Sequence, residues 1–288
     1  MNLDQLRTLA AIIDEGSFEG AAYQLRITQS AVSQRVKALE AHVGQLLVRR
    51  ESPCSVTAAG SAMLRLARQV QLLQEETWQE LSPGPAARTI TPLAVNADSL
   101  ATWLYPVLRS AAGWSDITLD LHVEDQDHSS ALLRTGEVLG AITAEPQPIN
   151  GCTVEHLGDM RYLPVADPLL AKRHTTAAGV DWESIPALRF NSKDDLQHDL
   201  LRSKGITASA PAHVIPSSEG FLDAVRAGLG WGMLPQMQLG TLISDGSLVL
   251  LEEGLHRDVA LYWQTWNLES ARLTRVTQAI REAAADLH

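Results

Sequence analysis

Apolar residues near the start of the chain recur at helical spacing in two short runs separated by a break. Phe18, Ala21, Ala22 and Leu25 fall at i, i+3, i+4 and i+7, one face of a helix. Ser17 stands where an N-cap belongs, and Glu19 lies in the first turn, where the helix dipole favours an anion. After a break at Arg26–Thr28, Val32, Val36, Leu39 and Val43 form a second stripe, while Ser30, Ser33, Gln34 and Lys37 share another face. The pattern predicts two helices joined by a tight turn. The second presents hydrogen-bonding side chains and a cation, groups suited to base edges and phosphates in a major groove. An ordinary amphipathic pair with a solvated polar face has the same periodicity.

The pattern then changes twice. Residues 58–81 contain no Pro and only Gly60, and read as one helix of roughly 35 Å at 1.5 Å per residue. Met63, Leu66, Val70 and Leu73 alternate steps of three and four, a short seam that could pack on its own domain but, isolated from other elements, better suits a partner helix. Ser82-Pro83-Gly84-Pro85 ends it and predicts a hinge. From Thr89 onward, short strands alternate with helices. Strands are expected at 90–95, Ile117–Val123, Val138–Thr143, Leu163–Ala166, Ala187–Phe190, Ala212–Ile215, Trp231–Leu234 and Val259–Trp263. Helices are expected from near Leu100, through Leu132–Leu133, and over Glu269–Leu287. The alternation predicts an α/β fold with parallel strands.

Charge sharpens the first region. The 288-residue chain carries a formal net charge of -11. Between Arg26 and Arg50, however, the cations are Arg26, Arg35, Lys37, Arg49 and Arg50, against the single acid Glu40. Such a basic island in an acidic chain is the electrostatic footprint of nucleic-acid binding. No apolar run is long enough to span a membrane and no signal segment precedes the first helix, so a soluble, cytoplasmic protein without a membrane partner is expected. Cys54 and Cys152 are far apart in sequence and form no paired metal-ligand motif. A G-x-S-x-G elbow, a P-loop and metal-type His/Cys spacing are all missing, which argues against an enzyme and against a metal site.

Residues 1–60, through LDQLRTLAAIIDEGSFEGAAYQLRITQSAVSQRVKALEAHVGQLLVRR and then Thr57 and Gly60, resemble the winged helix-turn-helix of LysR-type transcriptional regulators. The resemblance implies a recognition helix carrying Gln29, Ser30, Ser33, Gln34, Arg35 and Lys37. It also implies a wing over Leu46–Thr57 in which Arg49 and Arg50 contact phosphate. Arg35 has the alternative of pairing with a nearby acid. The long helix would pack against its twin in a homodimer, with a tetramer left open. The expected partners are double-stranded promoter DNA and RNA polymerase.

The second half resembles the effector domain of that family, two α/β lobes joined by crossover strands. The implied boundaries are 1–58 for DNA binding, 59–87 for the linker helix and hinge, and 88–288 for the effector domain. Lobe 1 would take 88–162 and 265–288, and lobe 2 would take 163–264. By that analogy Asn96, Asp98 and Ser99 edge the cleft, Ser99 at the family's general effector position and Thr102 one helical step inward. Glu124, Asp125 and Asp127 form a second edge. From the second lobe, the expected lining is Thr143, Asp194, Asp195 and the Ser217-Ser218-Glu219 turn.

VNADSLATWL (95–104), VEDQDHS (123–129), SSEGFLDAVRAGLG (217–230), GMLPQMQL (232–239), LYW (261–263) and RESPC (50–54) resemble the LysG/ArgP branch, which senses basic amino acids. That branch implies an activator of a lysine or arginine exporter gene, with lysine or arginine as effector and no cofactor. An architectural DNA-binding protein acting without a ligand, or a regulator answering a different metabolite, remains the alternative.

Overall fold

The computed structural model describes residues 1–81, 88–124, 126–206 and 212–288, with side chains undescribed at 126–128. Three helices form first. α1 (Leu3–Asp14) is entered through a reciprocal capping box between Asn2 and Gln5. α2 (Phe18–Leu25) is capped by Ser17, whose Oγ accepts from the Gly20 amide at 3.0 Å. It ends at Arg26, which carries the left-handed turn at φ 55°. α3 (Gln29–Val43) starts under the Thr28 cap and stops at Gly44, whose φ of 77° suits glycine. Leu9, Ile12, Ala21, Val32, Val36 and Leu39 close the core between them. β1 (Val48–Arg49) and β2 (Ser55–Val56) pair antiparallel as the expected wing.

α4 (Ala58–Leu81) is the long helix the pattern predicts. Its start lies hard against the wing: a Cβ on Gly60 would sit 2.0 Å from the Leu47 carbonyl oxygen. The helix is longer than the domain it leaves, so it packs twice. Gly60, Leu64 and Ala67 are buried on the first domain, and Leu72 enters a core with Ala94, Leu133 and Trp266 of the second. The expected seam is therefore partly consumed within its own chain. Met63, Leu66 and Val70 pack against the N-terminal core, while Leu73, Trp78 and Leu81 remain 39%, 65% and 67% exposed. The expected Ser82–Pro85 breaker lies outside the described residues.

The second half begins with β3 (Thr89–Val95), α5 (Ala97–Ala101), α6 (Tyr105–Ala111), β4 (Ile117–Val123), α7 (Gln126–Thr135) and β5 (Gly140–Thr143). β3 lies between β4 and β5, all parallel. The helix expected from Leu100 starts earlier, under an Asn96 cap, and is interrupted at Thr102 before Pro106 opens α6.

β6 (Cys152–Ala166) then runs out of this lobe. Only its last residues were expected as strand, because its first half carries mixed polar and half-buried positions. The other lobe holds α8 (Pro168–Arg173), the small hairpin β7 (Thr175–Thr176) and β8 (Gly179–Val180), β9 (Ala187–Arg189), α9 (Leu196–Ser203) and β10 (Ala212–Val214). It continues with α10 (Ser218–Arg226), β11 (Gly232–Pro235), α11 (Gln236–Leu239) and β12 (Val249–Leu250). β13 (Arg257–Trp266) returns antiparallel to β6, and α12 (Ala271–Ala283) closes the chain. Tyr262–Thr265 already pair with β5, so the return to the first lobe comes ahead of the expected Thr265. The seven-stranded sheet is ordered β11-β6-β13-β5-β3-β4, with β12 on β6. The two long strands are thus the crossovers between lobes. No described helix is long and apolar enough to cross a membrane.

β13 is seated on β5 at one crowded point. A Cβ on Gly140 would come 2.2 Å from the Trp263 ring, and that ring is 1% exposed with no room to turn. Gly140→Ala should lower stability by about 1–3 kcal/mol through overpacking, read as a lower urea midpoint. A midpoint equal to that of the parent protein would contradict this packing.

Candidate functional site

Two sites emerge, one on each half. On the first, the inward stripe of α3 fixes what points outward. Gln29, Ser30, Gln34 and Lys37 are exposed, with Ser33 and Arg35 half-buried beside them. The Ser30 and Thr28 hydroxyls lie 2.9 Å apart. Arg35 Nη2 donates to Asp4 Oδ2 at 3.2 Å, so the acid-pairing alternative is the one observed and Arg35 ties α3 to α1. Glu40, the lone acid of the basic island, accepts from the Leu47 and Val48 amides at 2.9 and 3.4 Å. Its carboxylate fastens the wing to α3. Arg49 and Arg50 are exposed on the wing, and the Arg50 guanidinium carbon lies 4.6 Å over the Phe18 ring.

On the second half, a cavity of about 440 Å³ opens between the lobes. Asn96, Asp98 and Glu124 line it from the first lobe, Tyr162, Val259 and Leu261 from the crossover strands, and Phe190, Asn191, Asp194 and Ser218 from the second lobe. Among the described residues, the lining carries five carboxylates, those of Asp98, Glu124, Asp194, Asp195 and Asp199, and one cation, Lys193. Asp98 is the innermost link. The Tyr162 hydroxyl donates to its Oδ2 at 2.9 Å and the Ser218 hydroxyl donates to its Oδ1 at 2.7 Å, which joins the lobes directly. Burial pushes the Asp98 carboxyl up, the two hydroxyl donors pull it down, and the charge of Asp194 pushes it up again. Burial raises Tyr162 as well, with the Asp98 charge beside it adding to the effect.

Asp194 serves the loop around it. Its Oδ2 accepts from the Phe190 amide at 2.8 Å and its Oδ1 from the Leu196 amide at 3.2 Å, while Arg189 reaches Asp195 at 3.7 Å. The cavity therefore combines apolar lining, an anionic rim and one half-buried carboxylate, that of Asp98. That arrangement suits a small cationic ligand, whose charge would replace the water that Asp98 has lost.

Residues 3–61 match the family model of the bacterial regulatory helix-turn-helix protein, lysR family, and residues 92–285 match that of the LysR substrate binding domain. The chain belongs to the LysR family. It is 47% identical over 288 residues to the lysine export transcriptional regulatory protein LysG of Corynebacterium glutamicum, with 99% of each chain covered. A full-length structure of LysG from that organism with bound effector Arg is similar at a TM-score of 0.88 and 46% identity, covering 99% of this chain and 98% of that one. The crystal structure of ArgP from Mycobacterium tuberculosis is similar at a TM-score of 0.92 and 45% identity, covering 99% and 97%.

Within this LysR-family cleft, the structure brings together Asn96, Asp98, Glu124, Asp194, Asp195 and Ser218 of the expected residues. Others point elsewhere. Ser99 is fully buried, its Oγ accepting from Trp103 Nε1 at 3.0 Å, because it sits on the core side of α5. The Thr102 hydroxyl donates to the Asp98 carbonyl at 2.6 Å. Thr143 belongs to β5 of the first lobe, not the second, and its hydroxyl accepts from the Glu145 amide at 3.2 Å. Ser217 caps α10 at Gly220, and Glu219 is exposed beyond it. Asp125 and the Asp127 side chain lie outside the described residues. Tyr162, Phe190, Asn191 and Asp199 were missed. The end of the expected strand at Phe190 could have pointed to two of them, since ligands gather at the carboxyl ends of strands.

The raised Asp98 carboxyl has a pH signature. A group whose pKa is higher in the folded chain contributes stability below its unfolded value, ordinarily 3.8, and loses it as pH rises through the raised value. The stability of the parent protein minus that of Asp98→Asn should fall over that window in urea titrations. A difference that rises with pH would contradict the burial of this carboxyl.

Proposed function

We propose that this LysR-family regulator binds promoter DNA through α3 and the wing, and that lysine or arginine in the interlobe cleft controls its output. The observation that carries this reading is the set of four acids, Glu124, Asp194, Asp195 and Asp199, that line the cavity with the half-buried Asp98 among the described residues. Such a site favours a ligand with a surplus positive charge over a neutral or acidic one. Asn96 and Ser218 offer the polar groups for the ligand's α-carboxylate and α-ammonium, and the acids from Glu124 to Asp199 take its side-chain cation. The regulated gene is one for export of basic amino acids, by analogy with LysG, and the sense of control is activation through RNA polymerase at the promoter. The protein does this in the cytoplasm, with no cofactor and no catalysis.

The working unit is a homodimer. Leu73, Trp78 and Leu81 leave apolar surface on α4, as a helix meeting its twin would. Two recognition helices then address half-sites about one turn apart. Control follows from differential affinity: a ligand that bridges the lobes favours one arrangement of the dimer, and a ligand indifferent to the two arrangements changes nothing.

Isothermal titration with lysine, arginine and glutamine tests the effector. Lysine or arginine should bind, glutamine should not, and Asp98→Asn should weaken the basic ligand by about 10- to 100-fold, the worth of a charge-assisted contact. A folded protein that binds neither basic amino acid overturns the reading. For the DNA face, Arg50→Ala should weaken all sequences alike and reduce the slope of log affinity against log salt by about 0.9. Altered sequence preference at unchanged slope would contradict a phosphate contact.

A further inference from the structure

The linker helix meets the effector domain at a charged joint whose bonds are only partly made. Leu72 of α4 is buried against Trp266 and Leu273, an apolar pivot. One turn further on, Glu76 Oε1 accepts from the Ser270 hydroxyl at 2.6 Å and from the Arg272 amide at 3.4 Å, at the N-terminus of α12. The Arg272 side chain is 5% exposed. Its Nη1 donates to the Ile90 carbonyl at 3.3 Å, while its Nε lies 3.8 Å from Glu76 and its Nη2 lies 3.6 Å from Glu75. Those two contacts are ion pairs and not hydrogen bonds. Nη2 is buried without a hydrogen-bond acceptor among the described residues.

A buried guanidinium normally makes contacts of about 2.7–2.9 Å with a carboxylate. Here a slide of α4 by about 1 Å relative to α12 would bring both ion pairs to that distance, a second arrangement close to the one seen.

The same joint is reached from the cleft by one strand. Val259 and Leu261 on β13 line the cavity. The strand then carries Trp266, 1% exposed, to the Leu72 pivot, and Ser270 and Arg272 follow it directly. A ligand that changed how the lobes sit on the crossovers would therefore bear on β13 and on the groups that hold α4.

We propose that Arg272, with Glu75 and Glu76, is the joint through which occupancy of the cleft sets the position of the linker helix and so the DNA affinity. This rests on the reading of the cleft as a basic amino-acid site. Arg272 is a positioning residue and touches neither ligand nor DNA. Charge is the working element of the joint, because the Ser270–Glu76 hydrogen bond survives a neutral amide while the ion pairs do not.

The test uses the full chain on its promoter, with DNA affinity measured with and without saturating arginine, and arginine affinity measured by calorimetry. In the parent protein the ratio of the two DNA affinities should lie in the range of about 5- to 150-fold typical of coupled sites. Glu76→Gln should bring that ratio to within about twofold of one while arginine affinity in the absence of DNA stays within about twofold of the parent value. Glu76→Asp should restore part of the ratio. A merely structural role would weaken DNA binding equally in both states and leave the ratio intact. That result, in Glu76→Gln and in the more exposed Glu75→Gln, overturns the inference. Should Glu76→Gln fail to fold, Glu75→Gln decides by the same ratio. A parent protein that binds neither arginine nor lysine overturns the reading of the cleft, and this joint with it.

Discussion

The two-lobed half depends on one carboxylate held between two hydroxyls. Asp98 sits on the first lobe, Ser218 on the second, and Tyr162 on a crossover strand, and all three meet at 2.7–2.9 Å. A buried carboxylate is costly unless its lone pairs are used. Each donor comes from a different part of the fold, so satisfying Asp98 requires the lobes to be closed on one another. Burial, with the nearby charge of Asp194, raises its carboxyl against the pull of the two hydroxyls. On the proposed reading, a cationic ligand relieves the remaining deficit, and closure and charge selectivity then share a single origin.

The DNA-binding half follows the opposite logic. Its only acid in a basic stretch is spent on the backbone of the wing, and one of its cations is spent on α1. The exposed groups that remain are cationic or neutral donors, on a chain with a net charge of -11. The net negative charge of the chain opposes the phosphate backbone, so on the proposed reading contact falls to this patch and weakens with salt. α4 joins the two halves and is buried on both. On the proposed coupling, a displacement near Leu72 is carried along α4 to α3.

Much of this was legible in the residues. The spacing of Phe18–Leu25 and Val32–Val43 located both helices of the DNA-binding pair, and the strand–helix alternation located the α/β half. Local periodicity could not report the length of β6, because a strand passing between two lobes is buried differently along its course. The seam on α4 was read correctly as apolar but not as shared, since one stripe serves contacts that only the tertiary arrangement assigns. In the cleft, Asn96, Asp98, Asp194 and Ser218, expected by likeness to the family's effector domain, do line the cavity. Ser99 was placed there by likeness, yet a step of one residue on α5 turns its hydroxyl from the cavity to Trp103. Tyr162 was missed because nothing in its neighbourhood marks a strand residue as facing a distant aspartate.

The central claim is that the charge of the ligand, sensed around Asp98, governs the hold on DNA. Arginine and citrulline differ in side-chain charge and little in shape, so affinity for promoter DNA titrated with each, at one fixed salt concentration, tests it most directly. Arginine should shift the DNA affinity and citrulline should leave it where it stands without ligand. Equal shifts with both, or none with arginine, would contradict the claim.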